Sequence, residues 1–192
     1  SAGGHLGASV DTEPHPFNET GHWEHSEIVC VQEQLLIDLG REWHVTGDLE
    51  LPPDWLPWPE TAAAAKQISQ IAARELDGAD HWIVKDPRTI RLLPLWRQVI
   101  SDLAVACCLV VCVRDPREVA ASVVRRVGMD RDLALGIWLA SYRDFLACSF
   151  TDATVVRFDD YLTDPAAVVR SISEFCGIEL PGANSRETAA VV

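Results

Sequence analysis

Apolar positions change their spacing partway along this chain. From Ser26 to Gly40, Ile28, Val31, Leu35, Leu36 and Leu39 fall on one helical face, which predicts an amphipathic helix capped by Ser26 with Gly40 just past its end. A second helix, alanine-rich and polar along one side, is predicted near Thr61 to Glu75 as a flank to a sheet. Beyond it short apolar runs alternate with helical ones. "HWIV", "VACCLVVCV" and "ATVVRF" read as strands, with helices near Arg88–Ile100, Pro116–Arg126, Asp130–Cys148 and Pro165–Cys176. Such alternation predicts a parallel sheet with covered faces, and the longest apolar run, Leu103 to Val113, reads as a fully buried strand. Ser1 to Glu24 has no periodicity and reads as loop, its first nine residues trailing from a helix end.

Length and charge narrow the picture. A chain of 192 residues with no composition break holds one domain, residues 1–192. Its 16 Lys+Arg against 29 Asp+Glu, net −13, exclude a nucleic-acid partner, because phosphate neutralisation needs a basic surface. Any anion chemistry falls mostly to arginine, since Lys66 and Lys85 are the only lysines. The Leu103–Val113 run is well short of the roughly 18 to 20 residues that span a bilayer, so no membrane is expected. No signal segment opens the chain. Cys30, Cys107, Cys108, Cys112, Cys148 and Cys176 have neither metal-ligand nor disulfide-framework spacing, so they read as reduced core residues of a cytoplasmic protein. The sequence opens on Ser1 without methionine, which is read as a processed, trimmed or partial product.

Two segments share one pattern. "WIVKDPR" (Trp82–Arg88) and "VCVRDPR" (Val111–Arg117) each run strand, cation, Asp, Pro, Arg. Asp86 and Asp115 are N-cap residues, Pro87 and Pro116 suit the first helical position, and Lys85 and Arg114 then stand at the sheet's C-terminal edge, where open α/β sheets bind ligands. Arg114, the free N–H groups of the following helix and the Ser122 hydroxyl could compose a phosphate pocket. The competing reading has these arginines pairing with Asp115, Glu118 or Asp160 to close a loop. Lys85 and Arg88 likewise either neutralise an anion or pair with Glu24 and Asp86. "HWEH" (His22–His25) invites a metal reading, yet no third ligand lies at recognisable spacing, so no metal is expected. Trp23, Trp43, Trp55 and Trp58 either line an acceptor pocket or, as is more common for Trp, pack beneath a loop.

Here the residues resemble a known family. "VRDPREVAASVVRR" is similar to the 3′-phosphate-binding segment of sulfotransferases that use 3′-phosphoadenosine 5′-phosphosulfate, with Arg114 and Ser122 at the matching positions. "GHWEHSEIVCVQEQLL" resembles the "G-F-W-E-D-x-E" block of bacterial members, "WIVKDPR" their "G-L-K-D-P-R", and "VVRFDDYLTDPAAVVRSISEFCGI" their closing strand and helix. The resemblance spans roughly Leu6 to Ile178. It implies an α/β three-layer αβα sandwich of P-loop NTPase-like type with a mainly parallel sheet. It divides the domain into an acceptor-side loop (1–25), an α/β core (26–178) and a flexible tail (179–192). It also implies the nucleotide as co-substrate, with Arg114 and Ser122 on its 3′-phosphate. Asp159 and Tyr161 then match a structural turn.

The family's opening strand and its glycine- or serine-containing loop for the 5′-phosphosulfate have no counterpart here. Either more chain lies upstream, or this is a degenerate homologue with half the nucleotide site. By position, Lys85 and Arg88 are the candidates to neutralise sulfonate or leaving-group charge, and Glu24, in the acceptor-side block, is the candidate general base. The expected function is sulfuryl transfer to a hydroxyl or amine of a small molecule or carbohydrate. A non-catalytic nucleotide-binding or interaction module on the same fold is the competing class, whereas a nucleotide kinase is disfavoured because no Walker A sequence is present. Acceptor identity and oligomeric state have no signature in the sequence.

Overall fold

The computed structural model describes residues 6–14, 21–41 and 49–180. Trp43, residues 1–5 and residues 181–192 therefore lie outside the described residues, and with them most of the predicted helix end and tail. A short antiparallel ribbon comes first, β1 (Val10–Asp11) against β2 (Glu24–His25), so part of the expected N-terminal loop is paired strand. β2 runs directly into helix α1 (Ser26–Asp38). The cap differs from expectation: the His25 ring accepts from the Ile28 N–H, while the Ser26 hydroxyl donates to the Ser9 carbonyl at 2.9 Å and ties the helix start to the ribbon. Gly40, at φ +67°, closes the far end by donating to Ile37 O.

Helix α2 (Pro59–Glu75), a 3-10 turn at Pro87–Arg91 and helix α3 (Leu93–Leu103) follow. Rather than flanking the sheet, α2 packs on α1 and α3, because its small buried residues Ala64, Ala65 and Ala72 permit a close approach. Ile28, Leu35 and Leu36 of α1, Ile68 of α2, and Leu95 and Val99 of α3 make this helical core, each at most 2 % exposed. "HWIV" is not a strand: only Trp82 forms a bridge, and the segment instead lays Trp82 and Val84 against the helical core.

The second half begins at strand β3 (Leu109–Val113) and continues through helices α4 (Pro116–Val127) and α5 (Arg131–Cys148) to strand β4 (Ala153–Arg157). A six-residue helix α6 (Phe158–Thr163) at the Asp159–Tyr161 turn, and α7 (Pro165–Cys176), complete it. β3 and β4 pair in parallel, Leu109 opposite Ala153 through Val113 opposite Arg157, so the chain is mixed α/β with a small parallel sheet. Val111 alone in β3 is buried, and Val155 of β4 is 53 % exposed, so the expected fully buried strand is covered only in part by its one described neighbour. A second apolar cluster, centred on Ala120, Met129 and Ala134, sits where α4 meets α5.

The two clusters are joined by polar ties. Arg91, buried in the 3-10 turn, donates to Asp144 of α5 at 2.9 Å, and Arg97 of α3 donates to Cys148 O at 2.9 Å. Leu49 rests on α5 at Gly136, where any Cβ would lie 2.8 Å from its Cδ1. All six cysteines are free, but only Cys148 is buried, which corrects the expectation of core thiols. Among the described residues no helix is long and apolar enough to cross a membrane.

The packing predicts a contrast. Leu95→Ala in the helical core, at 0 % exposure, should cost about 2–5 kcal/mol in urea unfolding, whereas Leu139→Ala on the outer face of α5, at 64 % exposure, should stay within about 0.5 kcal/mol.

Candidate functional site

The structure brings Glu24, Lys85 and Arg88 into one group. β2 presents Glu24 just ahead of α1, and the extended run from Trp82 crosses the start of that helix, its indole edge-on to the His25 ring at 5.9 Å. Lys85 then reaches Glu24 Oε1 at 2.7 Å and the His22 carbonyl at 2.9 Å. Arg88 donates through Nη1 to Glu24 Oε2 at 3.4 Å and Asp86 Oδ1 at 2.9 Å, and through Nη2 to Glu33 Oε1 at 2.6 Å. Both Glu24 oxygens thus face cations. The two cations differ in freedom: the Lys85 side chain is 53 % exposed and that of Arg88 only 15 %.

Asp86 organises the turn as its position predicts. Its Oδ1 accepts the Arg88 N–H at 2.9 Å as well as the Arg88 guanidinium, and its Oδ2 accepts from Gln32 Nε2 at 2.8 Å. Burial raises the Asp86 carboxyl above its usual range, opposed by the adjacent Arg88 charge and its hydrogen bonds. Every contact it makes is with a donor, so the arrangement is built for the carboxylate.

The second copy of the motif repeats the turn chemistry on the surface. Asp115 Oδ1 accepts the Arg117 N–H at 2.8 Å and caps α4, while Arg117 closes back onto the same carboxylate at 3.1 and 2.6 Å. Those bonds, the Arg117 side chain first, hold the Asp115 carboxyl down at about 2. Arg114 is differently placed. Its guanidinium carbon lies 4.4 Å over the Phe158 ring, and its Nε donates to Glu118 at 2.9 Å, with both terminal amino groups free of protein hydrogen bonds among the described residues. Ser122, half-buried on α4, makes no side-chain hydrogen bond among the described residues, and none joins either residue to the Glu24 group. Arg125 and Arg126 are exposed.

"HWEH" divides between two roles. His22 contributes a backbone oxygen to the site, and His25 turns into the protein at 2 % exposure. His25, Glu27 and Glu75 are a group with metal-ligand atoms, but each is engaged: His25 Nδ1 by Ile28, its Nε2 by Glu75 at 3.3 Å, Glu27 by Arg74 at 2.6 Å, and Glu75 also by the Ala8 N–H at 3.0 Å. Of the tryptophans, Trp23 is 46 % exposed beside Glu24, Trp55 is buried at 7 %, and Trp58 packs on the helical core.

Sequence reasoning missed three members of the site: Gln32, Glu33 and Trp96. Gln32 accepts from Trp96 Nε1 at 2.9 Å and from the Thr89 hydroxyl at 3.1 Å on the amide oxygen whose nitrogen serves Asp86. The available signal was its position: four residues after Ile28 and three before Leu35, a polar side chain on the apolar stripe of α1.

A family model described as "Sulfotransferase family" matches residues 23–182. No curated protein sequence matches the chain. Among solved structures, "Sulfotransferase Domain from the Curacin Biosynthetic Pathway" superimposes with a TM-score of 0.52 at 16 % identity, over 79 % of this chain and 56 % of that one, a likeness of fold. The chain thus spans little more than half of that domain's length.

The unequal burial of the two cations has a measurable consequence. Arg88→Met strands the Asp86 carboxylate, whose side chain is 0 % exposed, and should cost about 3–5 kcal/mol in denaturant unfolding. Lys85→Met should cost under about 1 kcal/mol. For the surface copy, the stability that wild type holds over Asp115→Asn should be fully present above the ordinary carboxyl value of 3.8 and lost as pH falls through about 2, as thermal melts across that range would record.

Proposed function

The chain belongs to the sulfotransferase family, and we propose that it moves a sulfuryl group from 3′-phosphoadenosine 5′-phosphosulfate to a hydroxyl or amine of a small-molecule or carbohydrate acceptor. The observation that carries this reading is the unequal clamp on Glu24: a buried carboxylate with a half-exposed lysine on one oxygen and a fixed arginine on the other.

In the reaction an acceptor oxygen or nitrogen bonds to sulfur as the bond from sulfur to the 5′-phosphate oxygen breaks. The leaving phosphate takes the electron pair and the acceptor proton goes to Glu24. Such transfer needs in-line placement and cations on the moving and leaving groups, as phosphoryl transfer does. Lys85 can supply that charge, since its long exposed stem lets it exchange Glu24 for an incoming sulfonate. The exchange uncovers Glu24 Oε1, the oxygen that then accepts the proton. Arg88 stays with Asp86 and keeps the other oxygen in place.

At the nucleotide's other end, Arg114 and Ser122 hold the 3′-phosphate. The stack on Phe158 orients the Arg114 fork while leaving its terminal N–H groups for phosphate oxygens. A three-layer αβα sandwich whose central first strand this chain lacks belongs to the same proposal, and the exposed face at Val155, uncovered among the described residues, supports a missing layer there. A cytoplasmic location belongs to the same proposal, supported by cysteine spacings that match no disulfide framework.

A non-catalytic nucleotide-binding module on this fold has one observation in its favour: each Glu24 oxygen is already matched by a protein cation, as in a purely structural ion-pair group. Two measurements separate the readings. In calorimetric titration with adenosine 3′,5′-bisphosphate, Arg114→Ala should weaken binding by about 2 kcal/mol, and equal affinity for adenosine 5′-phosphate would overturn the 3′-phosphate assignment. With radiolabelled donor and a panel of phenol, sugar and amine acceptors, Glu24→Gln should lower kcat by about 10²–10⁴-fold. Nucleotide binding with no transfer to any acceptor would leave the module.

A further inference from the structure

We infer that Gln32 is a positioning residue that sets where Glu24 stands in the reaction, working through Asp86 and Arg88. The inference rests on the reading of Glu24 as proton acceptor and adds the device that holds it. Gln32 is 0 % exposed, and a side-chain amide buried to that degree needs partners on both ends. The indole N–H of Trp96 is a donor only, so the Gln32 atom that meets it at 2.9 Å must be the amide oxygen. That choice points the amide nitrogen at Asp86 Oδ2, 2.8 Å away, and makes it the donor there.

The orientation then passes along a chain of single options. With Oδ2 taken by Gln32, the second Asp86 oxygen receives Arg88, through its backbone N–H and Nη1, both at 2.9 Å. The same Nη1 meets Glu24 Oε2. Trp96 is anchored in the helical core at 8 % exposure, so the Glu24 carboxylate is referenced to the packed interior rather than to a loop. The substitution Gln32→Leu keeps the volume class but removes the donor on Asp86 Oδ2 and the acceptor shared by Trp96 and Thr89, so Asp86 loses the bond that sets the orientation of its carboxylate toward Arg88.

A double-mutant cycle tests this in the transfer assay, because Gln32 has no effect left to exert once Glu24 cannot take a proton. Gln32→Leu should lower kcat about 10- to 100-fold in the wild-type background, with the KM for donor nucleotide unchanged, and less than about 2-fold in a Glu24→Gln background. An equal loss in both backgrounds, or a loss carried by KM, overturns the positioning role in favour of general support of the fold. If Gln32→Leu does not fold, Trp96→Phe replaces it. That change retains Gln32 but removes one of the two donors on its amide oxygen, leaving Thr89, and should give a smaller kcat loss that again vanishes with Glu24→Gln, no background dependence being the overturning result. A chain with wild-type Gln32 that transfers normally after Glu24→Gln sinks the proton-acceptor reading itself, an outcome distinct from either.

Discussion

A guanidinium withdrawn from water needs acceptors for its N–H groups, and Arg88 finds them on three carboxylates from three parts of the chain. Asp86 belongs to its own turn, Glu24 to β2 and Glu33 to α1. Burying a charge this far is tolerable only when its partners are fixed and hydrogen-bonded, which is why the group includes Gln32 on the free side of Asp86. Arg88 Nε is the exception, buried without a partner among the described residues. Glu24 is thereby held between two cations, Arg88 at 3.4 Å and Lys85 at 2.7 Å, and of these the lysine has solvent around most of its length.

The two cation–Asp–Pro–Arg segments show one local solution used at two depths. In both, proline enters the first helical position without needing a donor, aspartate accepts the N–H two residues on, and the arginine folds back onto that same aspartate. Arg117 is thus consumed by the turn that contains it, whereas Arg88 reaches on to Glu24 and Glu33. What remains is the residue before the aspartate. Lys85 leans on an acid from another element, and Arg114 lies on the Phe158 ring while its Nε pairs with Glu118 of the following helix.

Sequence patterning was sufficient where local rules decide the outcome. The caps at Asp86 and Asp115, the α4 end at Gly128 and the whole of α7 are where propensity and capping place them. It failed where a residue's fate depends on distant neighbours. "HWIV" has strand composition, yet a strand exists only if another backbone lies alongside, and here the side chains found a helical core first. Ser26 is an ideal cap by type, but His25 was drawn to Glu75, fifty residues away in sequence, and took the position. Of the site, Glu24, Lys85 and Arg88 were legible as residues and not as a cluster. Gln32 was hidden because a polar residue on an apolar stripe looks like a flaw until its partners are known.

The described residues hold two apolar clusters, and the candidate residues are shared between them. Glu24 is referenced to the α1–α2–α3 core, whereas Arg114 leads into α4, whose Ala120 and Val123 belong to the α4–α5 cluster. Neither core by itself sets the span from one to the other. That span is gauged along a seam of two arginines reaching across to Asp144 and Cys148, and of Leu49 settled on a glycine that leaves room for it. For a nucleotide that bridges the two groups as proposed, its alignment is set at this seam, and Gly136 acts there as a spacer whose missing side chain leaves room for Leu49.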